Sequence, residues 1–163
     1  MAKKKSGNLG LILTVAVLVL GVAAFCMAFL VGVKYVTSKG TVTNDFTGFQ
    51  TMFGYTETTE GIVSISTKVL KFSILATLAF VLPLIGAVVS LLKNNVAKLV
   101  GALLMIGGAV LMFLLPSFVV FATSESGELL LAATTAKLGV GAIIGGICAA
   151  LGGLVAGYSA LRK

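Results

Sequence analysis

Hydrophobic residues in this chain are grouped into four long runs that more polar stretches separate. A helix needs about 20 apolar residues to cross roughly 30 Å of hydrocarbon, and each run is about that long with no charge at its centre. Because a backbone in lipid must satisfy its own hydrogen bonds, runs of this length are predicted to be helical. The predicted spans cover residues 9–33, 69–92, 97–121 and 138–161.

The first run is expected to remain in the protein as a signal anchor. Lys3, Lys4 and Lys5 precede it, as basic residues precede a secretory signal. Its apolar stretch of about 25 residues is longer than the roughly 7 to 15 apolar residues of a signal peptide. We therefore count it among the membrane spans.

The segment between the first two spans, residues 34–68, is predicted to contain a small sheet. Stretches rich in β-branched residues at 34–37 and 40–43 lie beside turn residues, which is typical of short strands. Residues 46–54 are expected to form a turn or a short helix on the membrane surface. Residues 62–67 fit either a last strand or an outward extension of the second helix.

The segment between the last two spans, residues 122–137, begins polar and becomes apolar. We expect a helix to begin near Glu128 and to run into the fourth span, since acidic residues favour a helix start. The predicted fold is an all-α membrane protein, a single domain of residues 1–163. It is a four-transmembrane-helix bundle with a small extracellular cap that contains a short β-sheet.

Composition supports a membrane protein and disfavours an enzyme. The chain is 58% hydrophobic and 10% charged, with a mean hydropathy of +1.14, whereas soluble domains are about 25% charged. It has no His, five acidic residues and two Cys, so the usual groups for acid–base catalysis and metal binding are scarce. We expect no catalytic residues, no cofactor and no metal site.

The distribution of charge predicts the orientation. Seven cations lie in the two tails and in the tight turn between the second and third spans, namely Lys3, Lys4, Lys5, Lys93, Lys98, Arg162 and Lys163. All five acids lie in the other two connecting segments. By the positive-inside rule, both termini are cytoplasmic in a multi-pass protein of the plasma membrane. The expected partner of these cations is the lipid bilayer, not nucleic acid.

Small residues recur along the last span at four-residue spacing, at Gly141, Gly145, Ala149, Gly153 and Gly157. A shorter series, Ala24, Ala28 and Gly32, lies in the first span. In lipid, small residues let two helix backbones approach closely. Two interpretations remain open: these residues pack the helices of one chain together, or they form the contact of a homo-oligomer.

Other polar or helix-breaking residues within the spans are few. Pro83 and Pro116 are each expected to kink a span. The spans contain hydroxyl groups at Thr14, Ser73 and Thr77 but no Asp, Glu, Arg or His. Because pumps and proton relays need ionisable groups in the bilayer, active transport by one copy is disfavoured.

The first outer segment is rich in large apolar side chains. Its predicted contact residues are Phe46, Phe49, Met52, Phe53 and Tyr55. One interpretation makes them the core of the cap together with an interfacial aromatic belt. The other makes them a contact surface for a neighbouring copy or for another membrane protein.

The order of segments resembles that of claudin-type tetraspans, with short basic tails, a large first outer loop, a tight inner turn and a smaller second loop. Phe46-Thr47-Gly48-Phe49 is similar to the aromatic-Gly-aromatic signature of that family. The chain has no Trp and lacks paired loop cysteines, so the resemblance is one of topology. The sequence also resembles small four-span membrane proteins of bacteria.

These features favour a non-enzymatic structural or interaction protein that assembles laterally through its small-residue helix faces and presents an aromatic outer loop. One alternative is a subunit of an oligomeric pore whose path is lined by weakly polar groups, which can conduct when symmetry repeats them. Another alternative is an accessory subunit of a transporter or a secretion complex. Single-channel recording separates the first alternative from a scaffold, and co-purification of a stoichiometric partner identifies the second.

Overall fold

The computed structural model describes residues 3–37, 40–59, 65–92, 94–119 and 134–162. Most of these residues are helical. In chain order the elements are α1 (Lys3–Cys26), β1 (Val31–Thr37), β2 (Val42–Thr47), α2 (Gly48–Phe53), β3 (Tyr55–Thr59), β4 (Ile65–Leu70), α3 (Ile74–Ser90), α4 (Asn95–Phe113), β5 (Thr134–Leu138) and α5 (Val140–Leu161). Short 3-10 turns follow α1 at Met27–Phe29 and α4 at Leu115–Ser117.

The long helices pack in a closed ring in which α1 contacts α3 and α5, and α4 contacts the same two helices. Neighbouring helices are antiparallel, as the approach of Gly101 to Gly86 and of Gly108 to Ala79 shows for α3 and α4. The strands, which come between α1 and α3 and between α4 and α5 in the chain, therefore lie at one end, which we call the sheet end. We call the opposite end, where α1 and α4 begin and α3 and α5 end, the basic end.

Three helices are long and apolar enough to cross a membrane: Leu9–Phe29, Asn95–Phe113 and Val140–Leu161. The prediction of long apolar helices is confirmed for these three. α3 is a shorter apolar helix of 17 residues, about 26 Å long at 1.5 Å per residue.

The helices end sooner at the sheet end than the predicted spans do. Residues 31–33 belong to β1, residues 69–70 to β4 and Leu138 to β5, while α4 ends at Phe113, before residue 121. The predicted spans were too long because Val33 and Leu70 are apolar residues that are buried in strands. A buried strand continues the apolar run of a helix, so hydrophobicity alone does not mark the boundary.

A small sheet is present, as predicted, with strand order β2-β1-β5 and both pairs antiparallel. Val33 on β1 lies opposite Phe46 on β2 and Leu138 on β5. Strands β3 and β4 form a separate antiparallel pair. Residues 65–67 thus belong to a strand, the first of the two alternatives, and residues 62–64 lie outside the described residues.

The expected helix leading into α5 is wrong for residues 134–138, which form β5. Their backbone groups pair with β1, where Thr134 lies opposite Thr37. The chain then turns directly into α5 because the backbone of Gly139 lies against Val31, with its N–H donating to the carbonyl oxygen of Gly32 at 2.8 Å. Glu125 and Glu128 lie outside the described residues.

The two prolines occupy different settings. Pro83 lies inside α3 and is buried, and a Cβ added at Gly108 of α4 would lie 2.5 Å from its Cδ. A kink at Pro83 stays a prediction. The predicted kink at Pro116 is wrong, because α4 has already ended and Pro116 lies in the 3-10 turn Leu115–Ser117, where a missing N–H is tolerated.

One hydrophobic core joins the strands to the helices. It contains Val33 and Phe46 from the sheet, Met52 from α2 and Phe80 and Met112 from α3 and α4. A smaller cluster towards the basic end contains mainly Ala residues around Met105. The sheet is therefore fixed to the helices through shared packing.

Candidate functional site

The small residues of α5 face helices of the same chain. A Cβ added at Gly141 would lie 2.6 Å from the carbonyl oxygen of Met27, and one at Gly153 would lie 2.7 Å from Cγ1 of Ile106. Gly145 lies between α1 and α4, and Ala149 is fully buried. These positions allow α5 to pack closely on both neighbours.

Gly157 differs from the rest of this series. A Cβ at Gly157 would meet only Cβ of Ala102, at 3.8 Å, which is an ordinary contact. Gly157 is also partly exposed. The space between α4 and α5 is therefore less tightly filled here than at Gly153, one turn earlier.

The shorter series was predicted to lie on one helix, but the structure places it on three elements. Ala24 belongs to α1, Ala28 to the 3-10 turn and Gly32 to β1, because the helix ends before Gly32. All three are buried. Packing within one chain accounts for the contacts of both series, and a homo-oligomer contact through them stays a prediction.

The large side chains predicted at the outer contact surface divide into two groups. Phe46 and Met52 are 3% and 1% exposed, so they belong to the core. The ring of Phe46 packs against Tyr35 and Tyr55, with centroids 5.9 and 6.2 Å away. This group fits the interpretation of these residues as the core of a cap.

The second group is a surface that we call the Phe row: Phe25, Phe29, Phe49 and Phe53. The ring of Phe49 lies at its centre, with centroids 6.2 Å from Phe25, 4.6 Å from Phe29 and 6.0 Å from Phe53. Phe29 is 66% exposed and Phe53 is 61% exposed. The row thus presents two uncovered rings next to one partly buried ring.

The local sequence determines where α2 begins and how it packs, and α2 in turn places Phe49 and Phe53 in the Phe row. Thr47 and Gln50 form a capping box at the start of α2, in which each side chain bonds the other residue's backbone N–H. The N–H of Gly48 donates to the carbonyl oxygen of Leu30 at 3.0 Å. Gly48 also lies so close to Ala28 that an added Cβ would be 2.7 Å from its Cα. α2 therefore packs directly on the end of α1.

Phe25 and Phe29 were not predicted at this surface, because both fall within the first predicted span, residues 9–33. Their spacing of four residues places them on one face at the end of α1. That signal shows a pair of aromatic residues near the membrane boundary. It does not show that α2 lies against them.

The weakly polar groups of the spans donate to backbone carbonyls. The hydroxyl of Thr14 donates to Gly10 at 2.9 Å, and that of Ser73 to Phe118 at 3.3 Å. The hydroxyl of Thr77 donates to Ser73 at 3.0 Å. The bonds of Thr14 and Thr77, each to the carbonyl four residues earlier, are the usual way in which a helix accommodates a hydroxyl group, whereas the bond of Ser73 joins the start of α3 to the segment after α4.

Electrostatic features of the sheet end centre on β1. Lys34 lies opposite Asp45 of β2 on one side and opposite Lys137 of β5 on the other. On the next residue, burial raises the pKa of Tyr35 from its ordinary value of 10.0 to about 12. The phenol thus favours its neutral form within the cap core.

No family model matches the chain, and comparisons with curated proteins and with solved structures found no match. The function must therefore be inferred from the physical features of the chain itself.

Proposed function

We propose that the chain is a four-span protein of the plasma membrane in which α1, α3, α4 and α5 cross the bilayer and the strands form an extracellular cap. Three helices of spanning length support this arrangement, together with the apolar α3 packed between α1 and α4. α3 is shorter, and a slightly thinner bilayer accommodates such a helix.

Charge supports an orientation with both termini cytoplasmic. Seven cations and no acid belong to the tails and the turn of the basic end, whereas all five acids belong to the segments of the sheet end. Lys93 and Lys163, and among the acids Glu60, Glu125 and Glu128, lie outside the described residues and are assigned by chain position. The positive-inside rule places the basic end in the cytoplasm.

A labelling experiment tests this orientation in cells. With Cys26 and Cys148 replaced by Ala, a single Cys is introduced at Asp45 or at Asn95, both of which are exposed. An impermeant maleimide should label Asp45→Cys in intact cells and Asn95→Cys only after permeabilisation. The reverse pattern would exclude the proposed orientation.

The proposed role is that of a non-enzymatic structural protein that associates with a second copy through the Phe row. The observation that carries it is the exposure of Phe29 and Phe53 beside Phe49. Aromatic pairs contribute about 0.5 to 1.5 kcal/mol beyond area burial. Helix faces in lipid gain little from apolar contact alone, so stacked rings at the boundary are a better source of association energy.

Assembly size in liposomes tests this role. The double variant Phe29→Ser and Phe53→Ser should lower the number of photobleaching steps per particle, because it removes both uncovered rings and leaves the buried part of the core intact. Phe72→Ser is the matched control, since Phe72 is 57% exposed and lies between β4 and α3. Equal step counts in the wild type and the double variant would disprove the role.

The contacts favour a scaffold over a pore. Thr14, Ser73 and Thr77 already donate to backbone carbonyls, so the donor of each hydroxyl is used within the protein and is not offered to a solute. Unitary currents from purified protein in planar bilayers would overturn this choice. The resemblance to claudin-type tetraspans, and to small four-span proteins of bacteria, is consistent with a scaffold and is itself part of the proposal.

A further inference from the structure

Among the residues that the structure describes, the basic end carries positive charge and no acid. Of its cations, the described side chains are Lys98 on α4 and Arg162 just after α5. Of the other five, the cations at positions 93 and 163 are close to these in the chain, and those at positions 3–5 belong to the start of α1 at the same end of the helices. A surface of this charge attracts anions, and in a membrane protein the nearest anions are lipid headgroups.

Lys98 is held in place across the boundary between two helices. Its ammonium donates to the hydroxyl of Ser159 on α5 at 3.3 Å, and its side chain is half-buried although it lies in the first turn of α4. An ammonium has three N–H donors, so two remain for other oxygen atoms. Arg162 is exposed and follows Ser159 by three residues, so its guanidinium adds further donors at the same end.

The space between α4 and α5 widens next to Lys98. At Gly153 an added Cβ would lie 3.1 Å from the carbonyl oxygen of Ala102, whereas at Gly157 it would meet only Cβ of Ala102 at 3.8 Å. Leu154 and Leu161 beside this space are exposed. The cations Lys98 and Arg162 thus lie at the end of a partly open apolar boundary. This arrangement is complementary to an anionic headgroup with a hydrocarbon chain.

We propose that Lys98 and Arg162 bind the phosphodiester headgroup of an anionic phospholipid, with one acyl chain lying along the outside of the α4–α5 boundary beside Gly157. The proposal rests on the placement of the helices in a membrane but not on assembly through the Phe row. A competing role for Lys98 is only to offset the negative C-terminal end of the α5 dipole, and that role predicts no lipid selectivity.

Native mass spectrometry of the full chain in a mild detergent tests the proposal on the monomer peak. Phosphatidylglycerol and phosphatidylcholine with identical acyl chains are titrated separately. The wild type should retain phosphatidylglycerol about 10- to 30-fold more tightly, since each cation near an anionic lipid contributes a factor of roughly five. The variant Lys98→Gln and Arg162→Gln should lose most of this preference.

Lys34→Gln with Lys137→Gln is the matched control, because it removes the same charge from the sheet end. The control should keep the preference; an equal loss in both double variants would show non-specific attraction and overturn the proposal. Wild-type protein that retains both lipids equally would also overturn it.

Two further variants separate headgroup binding from folding. Ser159→Ala keeps every charge but frees Lys98, and it should weaken phosphatidylglycerol retention severalfold with unchanged circular dichroism. Gly157→Leu fills the space for the acyl chain and should weaken retention of both lipids. If neither variant changes retention, the site is not between α4 and α5. Because the readout is the monomer, failed assembly through the Phe row would leave this result intact.

Discussion

At the scale of single residues, Gly48 shows how little space separates the strands from the helices. Its backbone lies against Ala28 and against the ring of Phe80, where an added Cβ would be 2.8 Å from Cζ. Because most of these contacts are with backbone atoms, they cannot move aside as a flexible side chain would. Such a position tolerates only glycine.

We expect Gly48→Ala to destabilise the protein by about 1 to 3 kcal/mol, which is the usual effect of overpacking a filled site. Thermal unfolding in detergent measures it. Gly107→Ala is the control, because an added Cβ at Gly107 meets nothing within 4 Å and Ala is favoured over Gly inside a helix by about 1 kcal/mol. Equal melting temperatures for Gly48→Ala and the wild type would show that α2 does not pack on the end of α1.

The raised pKa of Tyr35 predicts that the protein loses stability at high pH. Burial raises its pKa from 10.0 to about 12, so the folded protein holds the phenolic proton more tightly than the unfolded chain does. The stabilising effect is fully present below pH 10 and is lost as the pH rises through about 12. Other groups titrate in this range, so the effect must be isolated by comparison with Tyr35→Phe.

Tyrosinate absorbance measures this directly. The difference between wild type and Tyr35→Phe should show a single titration centred near pH 12, and Tyr35→Phe should lose less stability between pH 10 and 12. A difference titration centred at the ordinary value would show that Tyr35 is hydrated and that the cap core is not formed as described.

At the scale of elements, the sequence predicted long apolar helices and strands within residues 34–68, but neither the strand β5 nor the positions where helices give way to strands. Val33 and Leu70 continue an apolar run into strands that are buried, so their hydrophobicity fits either element. β5 was missed because its stability depends on β1, about a hundred residues earlier, where Thr37 pairs with Thr134. Local patterns do not contain such distant pairings.

The same limit applies to the candidate site. The composition of residues 46–55 predicted a large apolar cluster, and the burial of Phe46 and Met52 and the exposure of Phe53 divide it into core and surface. A sequence pattern could not make this division, because both groups have the same side chains. Two ring partners of Phe49, namely Phe25 and Phe29, come from α1 and the 3-10 turn that follows it, so only the packing of α2 on the end of α1 reveals the Phe row.

The β1–β5 pair offers a prediction at this scale. Lys34 and Lys137 lie directly opposite each other, and like charges in such a pair are destabilising. Lys137→Glu should raise the stability in detergent by about 0.2 to 1 kcal/mol through attraction to Lys34. High salt should reduce this gain, because exposed charges are screened.

Thr135→Glu is the appropriate control. Thr135 is exposed on the same strand but lies opposite Val36, so the added carboxylate has no cation directly across. If both variants gain equally, the effect comes from net charge and not from the pairing of β1 with β5. No change in either variant would argue against the register.

At the scale of the whole molecule, α5 holds the ring of helices together. It contacts both α1 and α4 through small residues, with Gly141 against Met27 and Gly153 against Ile106. A bulky side chain in this series would separate helices that share a single core. If the same series instead served mainly to join two copies, a bulky side chain would reduce assembly and leave the monomer stable.

Gly153→Leu distinguishes these two possibilities. Because an added Cβ at Gly153 already approaches Ile106 Cγ1 at 2.7 Å and the Ala102 carbonyl oxygen at 3.1 Å, we expect Leu to lower the stability of the monomer by at least about 1 to 3 kcal/mol. Gly10→Leu is the control, since an added Cβ at Gly10 on α1 meets nothing within 4 Å. Thermal unfolding and photobleaching are measured on the same samples. If the Gly153→Leu monomer is stable but forms particles with fewer copies, the small residues of α5 join two chains and do not mainly pack one chain. Assembly would then depend on α5 as well as on the Phe row.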